Sequence, residues 1–287
     1  MKTVDEVLEA AQNHYQRIYF RPNSGNAGDS LINVGFYSIA ERTGLEYEEI
    51  SDSFDFDSLG ERDLVILSGG GNIVPYWEGG SDLIRRLTAY PFPLLLMPQS
   101  IEGRQDVLGL LREKDVLFLR EQYSYDYACS LGLSCSIKLD HDLAFSVDRE
   151  MLRERGGMRL SIKNIRRMAY IAYHFVRSRF TGDLQALRTD RESRIEGKKK
   201  KINDISRLAK FGTRNRELNL VSSYWLLKVL SWYERVETDR LHVFVACVLV
   251  GTKVRLRENS YYKIRGVYDF SIKSKPDYSR LVDFKKA

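Results

Sequence analysis

The sequence predicts an α/β protein built on parallel sheet, and three observations carry that reading. Short apolar runs alternate with helical stretches through the first half of the chain. Each of those runs ends in glycines or polar residues, the edge at which a parallel sheet collects its ligands. Towards the other end, the apolar run 243–250 passes through Gly251-Thr252 into the alternating Val254-Arg255-Leu256-Arg257, a buried helix feeding a strand.

In chain order, Arg17-Ile18-Tyr19-Phe20 is a β-rich run followed by the turn-rich loop 21–28. A helix is expected over 30–43, with Leu31, Val34, Ile39 and Ala40 on its apolar face. The loop before it holds Asn26, Gly28 and Asp29. Glycine there lets backbone approach a ligand, and Asp29 reads equally as an N-cap or as a site carboxylate.

Residues 62–67 read as a buried strand running into Ser68-Gly69-Gly70-Gly71-Asn72, a loop expected to pass close to something and to form an anion-binding nest. Residues 93–97 form a further strand, followed by Pro98-Gln99-Ser100-Ile101, and 116–119 another, followed by Arg120-Glu121. Residues 136–139 lead to Asp140-His141-Asp142. The Asp-His-Asp triplet invites a divalent cation, but a strand end with a capping aspartate is favoured, and no metal is expected. One crevice would gather Asp29, Gly69, Gly70, Gly71, Gln99, Arg120 and Asp142.

Charge is unevenly spread. The net charge is +6, yet residues 149–216 alone carry 20 Lys and Arg against 7 Asp and Glu, which leaves the remainder acidic. Residues 165–180 interleave Arg166, Arg167, Arg177 and Arg179 with Met168, Tyr170, Ile171, Tyr173, Phe175 and Val176, a basic amphipathic helix. Residues 197–201 are a solvated charge run. The plain reading is a linker with a surface helix. The functional ones are a helix drawn to anionic lipid or a nucleic-acid patch, and no nucleic-acid-binding motif accompanies it.

Residues 218–222 are expected to form a strand and 224–235 a helix, after which 234–238 deliver the chain to Thr238-Asp239-Arg240-Leu241-His242. An Arg-x-His at a helix start is commonly a surface ion pair and a cap. Here it stands at a sheet's open edge, where an arginine can fork onto an anion and a histidine can move a proton near neutral pH.

At 287 residues, with 43% hydrophobic residues, the chain can form two domains of about 150 residues each. The expected division is 1–147, a basic segment 148–216 leading into the second domain, and 217–287. Three cysteines without zinc spacing suit a reducing compartment. No leader pattern and no bilayer-length apolar segment are seen, so a cytoplasmic protein is expected, with peripheral contact at the inner membrane face where the basic helix docks.

Together these residues resemble the polysaccharide pyruvyl transferase family. Asn26-Ala27-Gly28-Asp29 is similar to its N-x-G-D loop, Ser68 to Asn72 to its G-G-G turn, and Pro98-Gln99-Ser100-Ile101 to its P-Q-S/G segment. Arg120-Glu121 with Ser124 resembles its R-E-x-x-S, and Asp142-Leu143-Ala144-Phe145 its D-P-A-L, with leucine for proline. Arg240-Leu241-His242 resembles its R-x-H, and Asn259 to Lys263 its closing N-S-Y-x-K. The basic middle region matches none of these.

The resemblance implies two Rossmann-like domains facing a cleft, as in GT-B glycosyltransferases. It implies transfer of the pyruvyl group of phosphoenolpyruvate, a co-substrate rather than a cofactor, onto a sugar or lipid-linked oligosaccharide of a surface polysaccharide, giving a ketal and phosphate. Such chemistry needs a proton donor, a base, and cations for a carboxylate and a phosphate. His242 is the expected acid and Asp29 the expected base. Arg240, with its neighbour Leu241, and Arg120 are expected at the anion, Lys263 at the phosphate, and Asn26, Gly28, Gly69, Gly70, Gly71, Gln99 and Asp142 in the substrate-binding lining. The competing enzyme is a GT-B glycosyltransferase using a nucleotide sugar. A nucleic-acid-binding protein is the alternative from another class.

Overall fold

A computed structural model describes residues 2–157, 164–188, 204–257 and 262–284. The charge run at 198–201 and Asn259, Ser260 and Tyr261 of the closing motif lie outside the described residues. The chain divides into two compact units, residues 1–23 with 35–146 and residues 24–34 with 147–287.

The first unit contains α1 (Val4–His14), β1 (Arg17–Arg21), the later turns of α2 (Ala27–Thr43), β2 (Glu48–Glu49), β3 (Asp63–Leu67), β4 (Gly70–Ile73), α3 (Gly79–Leu87), β5 (Leu94–Ile101), α4 (Gln105–Leu108), β6 (Val116–Leu119), α5 (Gln122–Ser130) and β7 (Ser136–Leu139). The strands are parallel in the order β2-β1-β3-β5-β6-β7, with β4 also paired to β5. The order reverses between β1 and β3, which makes the loops after those two strands the switch point of the sheet. Every residue of β3 and β5 is buried, as a parallel strand covered on both faces requires. Phe20 on β1 stacks on Phe36 of α2 with ring centroids 3.7 Å apart, and both are fully buried. Each such ring contributes about 1.5–3 kcal/mol by leaving water.

The second unit contains the first turns of α2, then α6 (Arg149–Arg155), α7 (Ile165–Ser178), β8 (Asp183–Ala186), α8 (Ile205–Leu208), α9 (Arg216–Leu230), β9 (Arg235–Thr238), α10 (Leu241–Val250), β10 (Lys253–Leu256), α11 (Lys263–Val267), a π-helical turn at Tyr268–Ile272, α12 (Pro276–Ser279) and β11 (Val282–Phe284). Its four strands are parallel and lie side by side in chain order. Helix α10 is buried nearly all round, and Gly251, at φ 78°, ends it in the left-handed conformation. Both units are Rossmann-like α/β layers. Among the described residues no helix is long and apolar enough to cross a membrane.

Several elements differ from the sequence reading. Residues 218–222 are helical, not a strand, because α9 starts at Arg216 with Asn215 as its cap, its Oδ1 accepting the Leu218 N–H at 3.0 Å. Asn219, Ser222 and Ser223, polar residues of this helix, are buried with its leucines. That helix ends at Leu230, and 235–238 are strand β9. The basic middle region, read as a linker with a surface helix, contributes strand β8 to the sheet, with Leu184 and Ala186 turned inward.

The glycine run does not curl into a nest. Gly70 and Gly71 continue the line of β3 as β4, and Gly70 pairs with Gln99 at φ 142°, a backbone region that favours glycine. Pro98 and Gln99 lie inside β5 rather than beyond it. The register to β6 shifts between Leu96 and Gln99, the irregularity that admits a proline without an N–H to a central strand.

Candidate active site

In the first unit the motif residues meet at the C-terminal ends of β1, β3, β5 and β6. Asn23 donates to the Gly69 carbonyl, and its Oδ1 accepts from Asn72 at 3.4 Å, which ties together the two loops at the switch point. Gln99 donates through Nε2 to the Ser68 carbonyl at 2.8 Å, and its Oε1 is buried with no hydrogen-bond partner among the described residues. Arg120, 1% exposed, donates to Asp142 at 2.7 Å and to the Ser100 hydroxyl at 2.8 Å. The other Asp142 oxygen accepts the Ala144 N–H at 2.9 Å.

Glu121 caps α5 by accepting the Ser124 N–H, while the Ser124 hydroxyl accepts from the Ile101 N–H of β5. Burial pushes the Glu121 carboxyl above its ordinary range, against the pull of Ser124 and Arg120. The Arg-Glu-x-x-Ser segment thus stitches β5, β6 and α5 together. Asp140 accepts the Val4 N–H at 2.7 Å, so both carboxylates of the Asp-His-Asp triplet hold partners from the chain itself.

In the second unit the strand ends are tied in the same manner. Thr238 donates to the Ala186 carbonyl at 2.6 Å, Asp239 accepts the Arg188 N–H at 2.8 Å, and Arg240 donates to Asp204 at 2.6 Å. Burial raises the Asp239 carboxyl, with Arg188 and Arg240 opposing. Leu241, placed in the expected lining, is core at 4% exposure. The next residue, His242, is half-buried on the first turn of α10.

His242 rests on the first turn of α2. A Cβ on Gly28 would stand 2.8 Å from the His242 Cβ and 3.2 Å from its Cγ, so only glycine admits the imidazole there. Asn26 is the cap of α2: its Oδ1 accepts the Gly28 N–H, and its own N–H goes to Asp29 Oδ2, both at 2.8 Å. Asp29 is therefore not the N-cap but the returning arm of a capping box. Its carboxylate folds over Gly25, where a Cβ would fall 2.1 Å from Oδ2. The Asn33 amide donates to Asn219 on α9 at 3.2 Å and anchors this part of α2 within the unit.

Lys210 interacts electrostatically with Asp29 of this turn. Burial lowers its ammonium from the ordinary lysine value, Asp29 opposes that, and Arg167 and Arg207 add to it. Sequence reasoning missed Lys210 and Asp204 because they follow the lysine run of a region read as linker, and no spacing marks them. Lys263 is buried at the first position of α11. Asn26, Gly28, Asp29, Arg240 and His242 share the second unit, while Gly69, Gly70, Gly71, Gln99, Arg120 and Asp142 share the first.

The second unit seats a histidine and a carboxylate at one helix turn, with a lysine whose charge Asp29 favours. A crystal structure of a functionally uncharacterised protein from Klebsiella pneumoniae is similar to this chain at 27% identity and a TM-score of 0.77, covering 99% of this chain and 97% of that one. No curated protein matches. Residues 26–261 match the polysaccharide pyruvyl transferase model, a span that runs from the cap of α2 past the R-x-H of α10, and the chain belongs to that family.

Proposed function

We propose that the protein transfers the pyruvyl group of phosphoenolpyruvate onto two hydroxyls of a sugar in a surface-polysaccharide precursor, releasing phosphate and leaving a pyruvate ketal. The observation that carries this reading is the seat of His242 on Gly28, with Asp29 next in the chain and Lys210 within electrostatic reach. His242 gives a proton to the methylene carbon of the donor, and positive charge develops on the carbon that bears carboxylate and phosphate. A sugar hydroxyl attacks that carbon and passes its proton to Asp29. The carbon–oxygen bond to phosphate then breaks, its electron pair leaving with the phosphate, and the second hydroxyl closes the ring as its proton returns to His242.

Lys210 holds the phosphate in this scheme, where the sequence reading placed Arg240, Arg120 and Lys263. Arg240 and Arg120 are already joined to Asp204 and Asp142. Asp204 holds the Arg240 guanidinium at the residue that caps α10, so the pair positions His242 on the first turn of that helix.

The test is phosphate release from phosphoenolpyruvate with and without galactosides, glucosides and mannosides, wild type beside His242→Ala. Acceptor-dependent release that falls about 10²–10⁴-fold in the variant, with donor affinity nearly unchanged by calorimetry, is the expected result. Undiminished turnover in His242→Ala would remove the acid assignment. Silence across the panel, together with tight binding of a nucleoside diphosphate, would favour a glycosyltransferase using a nucleotide sugar.

A further inference from the structure

Large apolar side chains exposed to solvent concentrate on one helix. Among the described residues, five of the eight, Ile165, Tyr173, Phe175, Val176 and Phe180, lie on α7 and the turn that follows it, with Phe180 at 86% exposure. Helical geometry continues through that turn, since the Phe180 N–H reaches the Arg177 carbonyl at 3.0 Å. At 100° per residue, Ile165, Ala169, Ala172, Tyr173, Val176 and Phe180 fall within a sector of about 100°. All six are exposed. The buried residues Ile171 and His174 point to the opposite side, where His174 meets Tyr233 at 2.6 Å.

A surface helix normally turns its polar side outward. This one presents an apolar stripe to solvent, flanked by Arg166 on one side and Arg179 on the other, both exposed. Arg179 lies over the Phe175 ring at 4.9 Å, and Phe175 packs edge-on against Trp232, which widens the apolar area. Along the chain this stretch carries one sign of charge: residues 156–182 contain six Lys and Arg and no Asp or Glu. The exposed acids Asp183 and Glu234 stand just past its end at Gly182.

We propose that α7 is a membrane-docking helix that lies in the surface of an anionic bilayer, its stripe among the acyl chains and its arginines among lipid phosphates. Charge selects this occupant. An apolar stripe meant for a second copy of this chain would set the exposed Arg166 and Arg179 of the two copies against each other, whereas an anionic lipid surface neutralises them and takes up the aromatic side chains at headgroup depth. Arg167 does not belong to the docking set, because it is half-buried, lies 6.0 Å from the Phe211 ring and acts on Lys210. The inference is independent of the pyruvyl-transfer reading.

The experiment is flotation of the full chain with vesicles of phosphatidylglycerol mixed with phosphatidylcholine, and with phosphatidylcholine alone. Wild type, Val176→Ser/Phe180→Ser and Arg166→Gln/Arg179→Gln are compared, each checked for an unchanged thermal midpoint; all four positions are exposed, so the fold is retained. Wild type should float with the anionic vesicles only. The serine pair should reduce partitioning about tenfold, and the glutamine pair about thirtyfold. Absence of flotation with anionic vesicles overturns the proposal. So does full binding by the serine pair, which would leave only diffuse attraction to the basic chain. A wild-type dimer that the serine pair converts to monomer in sedimentation, without lipid binding, overturns it in favour of a second copy.

Discussion

Arg120 in the first unit and Arg240 in the second are both arginines at the C-terminal end of a parallel strand, and both hold a buried aspartate, at 2.7 and 2.6 Å. Their neighbourhoods differ. Around Arg120 the other motif residues, Gln99, Ser100, Glu121, Ser124 and Asp142, are all buried; Arg120 bonds Ser100 and Asp142, Glu121 caps the turn at Ser124, and Gln99 holds the Ser68 carbonyl. Around Arg240, Asp204 and Asp239 are buried in the same way, yet His242, Asp29 and Lys210 remain half-buried beside the cap of α2. A motif can thus be spent on holding loops or on presenting chemistry. Burial of the whole set separates the two.

The largest test of that contrast is removal of the Arg120 charge. Arg120→Met strands the Asp142 carboxylate in the core and should cost about 3–5 kcal/mol in urea unfolding. Adding Asp142→Asn removes the stranded charge and keeps an acceptor for the Ala144 N–H, so the double variant should recover most of that loss. If Arg120 is scaffold, the recovered protein turns over with a donor KM near wild type. A KM that stays high in the recovered double variant would show that Arg120 also holds substrate, and the contrast between the units would fail.

Acid sharpens the comparison. His174 is buried in the second unit and its imidazole is lowered to about 4, first by burial and then by Arg177. Its folded value is depressed, so its contribution to stability is present above the unfolded value near 6.5 and is lost as pH falls through about 4. The loss amounts to about 3 kcal/mol. Glu121 in the first unit has the opposite sign, since its raised carboxyl favours the fold as pH falls. Hydrogen exchange between pH 7 and 4 should show protection fading around α7 and Tyr233 before it fades around α5. His174→Phe should remove that early loss; an identical acid profile in the variant would assign it elsewhere.

Much of the first unit was legible because a strand buried on both faces is an uninterrupted apolar run: 116–119 is the strand expected and 62–67 differs from β3 by one residue, while 136–139, an edge strand with Lys138 in it and no buried residue, was also found. The buried polar residues Asn219, Ser222 and Ser223 belong to a helix whose start reads as a strand, and Pro98 looked like the end of a strand whose bulge accommodates it. In the candidate site, His242, Asp29 and Gly28 were marked by the α/β pattern and by family resemblance. Their shared position in one unit was not legible, since 214 residues of chain separate Gly28 from His242. Lys210 and Asp204 were hidden for another reason. In a segment so rich in charge, no single lysine or aspartate stands out until the fold shows which of them is buried.

The finest test changes one methyl group. Glycine inside a helix is less stable than alanine by roughly 0.5–1 kcal/mol, so Gly28→Ala should on propensity alone leave the fold no weaker. The added Cβ would meet the Cβ of His242 at 2.8 Å, and a Cβ, unlike the far end of a flexible side chain, yields only if the backbone of α2 or α10 moves. Displacing an acid by a fraction of an ångström should lower kcat about tenfold. Gly79→Ala in the first unit is the control, because nothing lies within 4 Å of its Cβ position, and it should leave kcat unchanged. A Gly28→Ala enzyme with normal kcat and an unshifted thermal midpoint would mean that the contact with α2 does not fix the histidine for catalysis. Loss of kcat at an unchanged midpoint would mean that it does, and that the second unit presents its chemistry through a glycine rather than through a charge.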